Sequence, residues 1–267
     1  MVRWSLLRLP LAACVLAVLA GCGADVASER PESDSTEEWG VEKLYREARE
    51  SLLDGGYAQA IDYYEKLESR YPYGVYTQQA KIDLAYAYFK NDQPEVAIEA
   101  ADRFIRLYPL HPNVDYAYYL KGLVNFRRDV SLVERALPQD LAAREMDRAR
   151  RSFDDFKVLL RLFPDNKYSD DARQRMVFLR NQLADHELVV ADYYLKRGAY
   201  VAVTRRARFV LENYPYTPAT PHALSMLVKS YRILGLDDLA ANSLRVLEQN
   251  FPEHEVTAQA RNFQVTQ

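Results

Sequence analysis

Residues 60–72 read AIDYYEKLESRYP. Apolar side chains at Ala60, Ile61, Tyr64 and Leu67 recur at three- and four-residue intervals, which places them on one face of a helix. Tyr71 and Pro72 end that helix, because proline has no amide N–H and pushes the residue before it out of helical geometry. The same ending returns four more times, at Leu107-Tyr108-Pro109, Leu162-Phe163-Pro164, Asn213-Tyr214-Pro215 and Asn250-Phe251-Pro252. Twelve residues before each proline stand Ala60, Ala97, Ser152, Val203 and Ala240. Eight before stand Tyr64, Ala101, Phe156, Ala207 and Leu244, and five before stand Leu67, Phe104, Leu159, Val210 and Leu247. The small or medium residue lets two helices approach closely, and the aromatic before the proline is placed to plug the seam to the next repeat.

This pattern resembles the second helix of a tetratricopeptide repeat, A-x3-F running to a closing P. The first helices match more loosely, with turn signals at Gly55-Gly56-Tyr57, Gly198-Ala199-Tyr200 and Gly235-Leu236-Asp237. One helical hairpin cannot bury its apolar face alone, so neighbours stack into a superhelix with a concave groove. The expected fold is all-α: a tetratricopeptide-repeat superhelix of five helix-turn-helix repeats and ten or more helices. It spans a domain at 40–267, with repeats near 41–74, 78–111, 115–166, 170–217 and 221–254. The closing prolines lie 37, 55, 51 and 37 residues apart. The excess in repeat three falls around Arg127 to Arg144, where Pro138 predicts a loop or a short extra helix. The excess in repeat four, Arg173 to Leu195, reads as one long first helix. Either insertion is surface decoration or a partner-docking element.

The N-terminus carries a different signal. Arg3 and Arg8 precede a mostly apolar stretch to Leu19, and Leu19-Ala20-Gly21-Cys22 follows. The apolar run is too short and interrupted for a good spanning helix, which needs ~20 apolar residues. Small residues before a cleavage point mark a signal peptide, and a Cys directly after Leu-Ala-Gly resembles a lipobox. The expectation is a signal over residues 1–21 and S-diacylglycerol and N-palmitoyl lipidation at Cys22. Residues 22–39 then form an acidic tether too poor in apolar surface to order itself. Gly23, in place of the Asp typical of enterobacterial inner-membrane retention, favours the outer membrane. Cys14 would be lost with the signal, which excludes a disulfide within the mature chain. Without Arg3 and Arg8 the mature chain holds 33 basic and 38 acidic residues, a balance that argues against general nucleic-acid binding.

No catalytic constellation stands out. His111, His186, His222 and His254 are widely spread, and there is no H-E-x-x-H, no G-x-S-x-G and no phosphate-cradling Gly-rich loop. The reading is of a non-enzyme with no cofactor, no metal site and no catalytic residue. The acidic pairs Asp154-Asp155, Asp170-Asp171 and Asp237-Asp238 are expected at loop edges or helix starts, where they favour the helix dipole. The 20 tyrosines are the compositional oddity. Each taken singly fits the core, but Tyr71, Tyr73 and Tyr76, and then Tyr116, Tyr118 and Tyr119, fall together. Aromatics lining a groove suit apolar and aromatic peptide segments.

The lipobox, the tether and the five repeats together resemble the BamD (ComL) family of outer-membrane assembly lipoproteins. The most specific stretches are YPYGVYTQQAKIDLAYAYFK at 71–90, RFIRLYPLHPNVDYAYYLKGL at 103–123 and RMVFLRNQLADHELVVADYYLKRGAYVAV at 175–203. The resemblance implies a subunit of the machinery that inserts β-barrel proteins, lipid-anchored at the periplasmic face of the outer membrane. It would bind the POTRA region of the barrel-forming subunit, other assembly lipoproteins and unfolded outer-membrane proteins. Carried onto this chain, the POTRA contact falls on Arg206 with Arg205 beside it, although a solvated helix residue is the plainer reading of Arg206. The substrate surface falls near Tyr71, Gly74 and Tyr76, and Tyr116 joins it as a groove aromatic. Ala58 stands where family members can carry a basic residue, and residues 127–144 show little likeness to the family. The competing reading is a tetratricopeptide lipoprotein that scaffolds peptidoglycan or cell-division proteins.

Overall fold

The computed structural model describes residues 36–126 and 139–265, with side chains from Met146 onward in the second stretch. The proposed signal, Cys22, most of the tether and residues 127–138 lie outside the described residues. From Val41 onward the chain forms one compact unit.

Eleven helices occur among the described residues, and no strand. They are α1 (Val41–Leu53), α2 (Tyr57–Arg70), α3 (Val75–Lys90), α4 (Pro94–Leu107), α5 (Val114–Asn125), α6 (Gln139–Leu162), α7 (Ser169–Leu195), α8 (Tyr200–Asn213), α9 (Thr220–Ile233), α10 (Asp237–Asn250) and α11 (Glu255–Asn262). Each of α1 to α10 packs against its neighbour in sequence, and α11 closes the stack mainly against α9. None of the described helices is long and apolar enough to cross a membrane.

The repeated positions are the core. Ala60, Ala97, Ser152 and Val203 are fully buried, and Ala240 nearly so. Leu67, Phe104, Leu159, Val210 and Leu247 are all fully buried. Of the middle set, Tyr64, Ala101, Phe156 and Ala207 are buried, and only Leu244 is half-buried, because the eight-residue α11 covers little of α10. Burial of each large side chain of this set contributes about 1.5–3 kcal/mol.

The closing aromatics end the helices by a common geometry. Tyr71, Tyr108, Phe163, Tyr214 and Phe251 each donate their backbone N–H to the carbonyl four residues back, at 2.8–2.9 Å. Those carbonyls belong to the same five buried residues, Leu67 to Leu247. Tyr71, Tyr108, Tyr214 and Phe251 have φ between −128° and −137°, outside the helical region, as the following proline requires. A hydroxyl six residues after the aromatic then accepts the task of bonding its free carbonyl. Thr77 Oγ1 donates to Tyr71 O at 2.5 Å, Ser169 Oγ to Phe163 O at 2.9 Å and Thr257 Oγ1 to Phe251 O at 2.6 Å. In repeat four Thr217 serves Tyr214 instead, at 3.0 Å.

The excess of repeat four is helix, and so is the described part of the excess of repeat three, residues 139–144. α7 runs 27 residues against 12–16 for α1, α3 and α5, as its sequence predicts. In repeat three the second helix starts early: α6 has 24 residues where α2 and α4 have 14, so residues 139–144 extend it rather than form the expected loop or short extra helix, while the rest of that expectation, at 127–138, lies outside the described residues. One expectation is corrected. Asp154-Asp155 lies inside α6, not at a helix start. Asp155 Oδ1 lies 3.3 Å from Lys121 Nζ, which also holds Asp102 Oδ1 at 2.9 Å, tying α4, α5 and α6 together. Asp170-Asp171 and Asp237-Asp238 do stand in first turns.

α5 approaches α6 closely at Gly122. Gly122 lies beneath the Phe156 ring, and Ser152 Oγ donates to Gly122 O at 2.9 Å. A Cβ at Gly122 would overlap three atoms of that ring. Gly122→Ala is therefore expected to cost about 1–3 kcal/mol by overpacking, measured by denaturant unfolding, although alanine is the better helix former. A neutral or stabilised variant would contradict this packing.

Candidate functional site

Two features could serve recognition: a polar, tyrosine-rich wall built by the first helices, and a set of arginines around α8.

α1 touches α3 and α3 touches α5, so the side chains of the three helices form one continuous wall. Its first half centres on Asp83. Tyr45 OH donates to Asp83 Oδ2 at 3.0 Å and Tyr64 OH to the same oxygen at 3.5 Å. Gln79 Nε2 donates to Oδ1 at 2.8 Å, and Asn113 Nδ2 donates to Gln79 Oε1 at 2.9 Å. Arg49 Nη1 donates to Tyr45 OH at 3.1 Å, and the Tyr76 ring packs on Tyr45 with centroids 5.5 Å apart. Desolvation raises the Asp83 carboxyl above its ordinary range, although the bonds from Gln79 and Tyr45 favour its anion. Burial, with Asp83 as the next cause, pushes the Tyr64 hydroxyl up as well.

Next to Asp83 opens a cleft of about 230 Å³, lined by Gln79, Asp83, Tyr86, Asn113, Tyr116, Lys167 and Tyr168. Its aromatic wall is closely packed. Tyr119 stacks on Tyr168 at 4.5 Å and 13°, and Tyr116 packs on Tyr168 at 5.5 Å. Tyr119 OH donates to Asp171 Oδ2 at 2.6 Å, while Arg175 grips the same carboxylate through Nε and Nη2 and lies over the Phe126 ring at 4.6 Å. Burial, reinforced by Asp171, pushes the Tyr119 hydroxyl to about 12. Lys167 is exposed at the rim, 4.9 Å from the Tyr168 ring centroid. The cleft thus offers aromatic faces, an amide donor and acceptor, one carboxylate and one ammonium. Such a surface can hold an extended segment without any covalent step.

The four residues expected at the substrate surface take different places. Tyr116 lines the cleft, and Tyr76 joins the same wall through Tyr45 and Asp83. Tyr71 is the half-buried closing residue of α2, with its carbonyl held by Thr77. Gly74, with φ 118°, begins α3 in an exposed turn that presents Tyr73 and Val75 to solvent. Asp83, Gln79, Asn113, Lys167 and Tyr168 were not singled out from the sequence. Asp83 was findable: it is the only acid in α3, four residues after Gln79 and so on the same face of the helix.

Two of the histidines shape turns, His186 lies within α7, and His222 on α9 meets the His254 ring edge-on at 5.2 Å although the two are distant in sequence. His111 Nδ1 accepts the Asn113 N–H at 3.1 Å, and its ring meets Phe104 edge-on at 5.1 Å. His254 Nδ1 accepts the Val256 N–H and caps α11. Among the described residues no group of three His, Cys, Asp or Glu could hold a metal.

On α8, Arg205 is exposed and has no ion pair among the described residues. Arg206 is not a plain solvated residue. Its Nη1 lies 2.9 Å from Glu187 Oε2 on α7, and Arg150 Nη2 on α6 lies 3.1 Å from Oε1 of the same carboxylate. An acid placed at 206 would face Glu187 with a second carboxylate, so that substitution disturbs the fold as well as the surface.

The raised Asp83 carboxyl gives a pH signature. The folded state holds that proton more tightly than the unfolded chain does, so the group favours folding most at low pH. The stability of the native sequence relative to Asp83→Asn is expected to be greatest below about pH 3.8, and to fall as pH rises through the folded value. Thermal melts of both proteins from pH 3 to 7 check this (the range bracketing the ordinary carboxylate values, about 3.9); a difference that grew with pH would contradict it.

Residues 38–247 match the family described as YfiO, outer membrane lipoprotein. A protein of Neisseria meningitidis serogroup B named outer membrane protein assembly factor BamD is 42% identical over 235 residues, covering 88% of each chain. A protein of the same name from Xylella fastidiosa Temecula1 is 40% identical over 214 residues, covering 80% of this chain and 73% of that one. Its counterpart in Vibrio cholerae is 35% identical over 237 residues, covering 88% and 95%.

Proposed function

The chain belongs to the YfiO family of outer membrane lipoproteins, and from that premise we propose that it is a non-enzymatic subunit of the machinery that assembles β-barrel proteins in the outer membrane. In this reading Cys22 carries the lipid, the residues after it form a tether, and the repeats hold two binding surfaces at the periplasmic face. The surface around α8 takes the POTRA region of the barrel-forming subunit, and other assembly lipoproteins join the complex. The tyrosine-rich wall takes unfolded outer-membrane proteins. What supports the reading is the alignment of BamD assembly factors over 88% of this chain. For the substrate surface, it is the open cleft beside Asp83.

The cleft's chemistry suits the C-terminal segment of a barrel protein. Such a segment is extended and ends in an aromatic residue with a free carboxylate. The aromatic ring fits against Tyr116 and Tyr168, the backbone amides meet Gln79 and Asn113, and the carboxylate meets Lys167 at the rim. Asp83, already bonded by three side chains, orders Tyr45, Tyr64 and Gln79 rather than binding the substrate's charge.

The test uses the mature chain in detergent and two titrations. With a synthetic C-terminal barrel peptide, Lys167→Glu is expected to weaken binding up to about fivefold, the scale of an exposed ion pair, and amidation of the peptide should abolish that effect. Equal losses for the free and amidated peptides would remove Lys167 from the carboxylate contact. With a POTRA fragment, Arg205→Glu is expected to weaken binding without lowering the melting temperature, and unchanged affinity would remove Arg205 from the interface.

A further inference from the structure

The helices alternate in direction along the stack. All connections but that of α5 to α6 are three to six residues long, which makes packed neighbours antiparallel. α5 and α6 are antiparallel too, since Tyr118 meets Phe163 while Gly122 meets Phe156. The five closing-proline turns therefore lie on one edge of the repeats, and the α1–α2, α3–α4, α7–α8 and α9–α10 turns lie on the other. Val41, where α1 begins, is on the closing-proline edge. Whatever precedes the repeats enters there.

The two edges differ in chemistry. Among the described residues five large apolar side chains are at least three-quarters exposed, and four belong to the closing-proline edge: Tyr73 at 89%, Val75 at 75%, Leu110 at 96% and Tyr216 at 90%. Tyr73, Leu110 and Tyr216 each directly follow a closing proline. The fifth, Leu53, is on the opposite edge beside Asp54. That edge is acidic, with Asp54, Asp92, Asp237 and Asp238 all exposed. Around the first two closing prolines no acid occurs from Ser69 to Ile82 or from Arg103 to Val114, and each stretch carries two residues of Lys or Arg. The turns of repeats three and five break the pattern with Asp165 and Glu253. Tyrosine and aliphatic side chains with cations near them and no carboxylate suit an anionic lipid surface, where tyrosine sits at headgroup level and lysine and arginine are attracted.

We propose that the edge formed by the first two closing-proline turns rests on the membrane, with Tyr73, Val75 and Leu110 in the headgroup layer. The inference rests on the lipidation of Cys22 proposed above. Residues 23–40 span at most about 60 Å, so the lipid alone leaves the orientation of the repeats open, and the apolar edge sets it. Insertion stops at the headgroups, because the amides and carbonyls of the turns must stay hydrated. The cleft lined by Gln79, Asn113, Tyr116 and Lys167 lies toward the same edge, so a segment bound there is held next to lipid.

The experiment uses the mature chain in vesicles of phosphatidylethanolamine and phosphatidylglycerol. Acylation of Cys22 leaves an introduced cysteine as the only thiol, and spin labels are placed singly through Tyr73→Cys, Leu110→Cys, Leu53→Cys and, in the tether, Ser28→Cys. The labels at 73 and 110 are expected to lose collisions with a water-soluble nickel chelate and keep those with oxygen, while the label at 53 stays open to nickel. In the chain labelled at 73, Val75→Glu with Leu110→Glu is expected to restore nickel access without lowering the melting temperature. Equal nickel access at 73, 110 and 53 overturns the proposal, and so does shielding at 73 that survives the two glutamates. Labels that are open in vesicles but shielded on addition of a POTRA fragment assign the edge to a protein and overturn the membrane contact. The anchor is judged separately: an unacylated mass, or a label at 28 fully open to nickel, removes the lipid on Cys22, and the labels at 73 and 110 still decide the edge.

Discussion

Each seam of this structure rests on one contact. The residue five before the closing proline is fully buried in all five repeats, and its carbonyl accepts the N–H of the aromatic just before that proline. That bond sets where the second helix stops. The proline forbids another turn, the aromatic's φ leaves the helical region, and the chain is handed to the next first helix. Because a two-helix unit cannot bury its own apolar face, every later feature depends on this stop falling at the right residue. The hydroxyl brace from Thr77, Ser169 or Thr257 satisfies the carbonyl that the turn would otherwise leave without a partner.

Regular stacking brings functional side chains together. With the second helices cut to equal length in repeats one and two, α1, α3 and α5 lie side by side, and Tyr45, Asp83, Gln79, Asn113 and Tyr116 meet although they span more than one repeat. The two long helices act differently. α7 supplies Asp171 and Arg175 to the wall near its start and Glu187 to the arginine pair two-thirds along, so one element serves both surfaces. The pair itself needs α6, α7 and α8 in register. Its integrity therefore reports on repeats three and four as a unit.

Much of the fold was legible in the sequence because its signals are local and repeated. The small residue twelve before and the apolar residue five before each closing proline land in the core, while the aromatic-proline pairs mark the helix ends, with the prolines exposed and most of the aromatics half-buried. The early start of α6 was not legible: Pro138 read as a break, while the stretch from Gln139 has helix-forming Ala, Leu and Arg that continue into the repeat. Asp154-Asp155 misled for a related reason, since an acidic pair looks like a helix start until Lys121 on another helix is seen to hold one of the two. The sites were less legible than the fold. Tyr76 and Tyr116 could be picked out as clustered aromatics, but Asp83 and Lys167 join them only through contacts between repeats. Arg206 looked like a free surface cation because Glu187, nineteen residues away, gives no sequence sign of pairing with it.

The central claim is membership in a barrel-assembling complex, and the most direct measurement is recovery of the complex itself. The chain, tagged at its C-terminus, would be purified from detergent-solubilised outer membranes, with its partners identified by mass spectrometry. The account predicts the barrel-forming, POTRA-bearing subunit among the proteins recovered. Recovery of cell-wall hydrolases or division proteins without that subunit would contradict it.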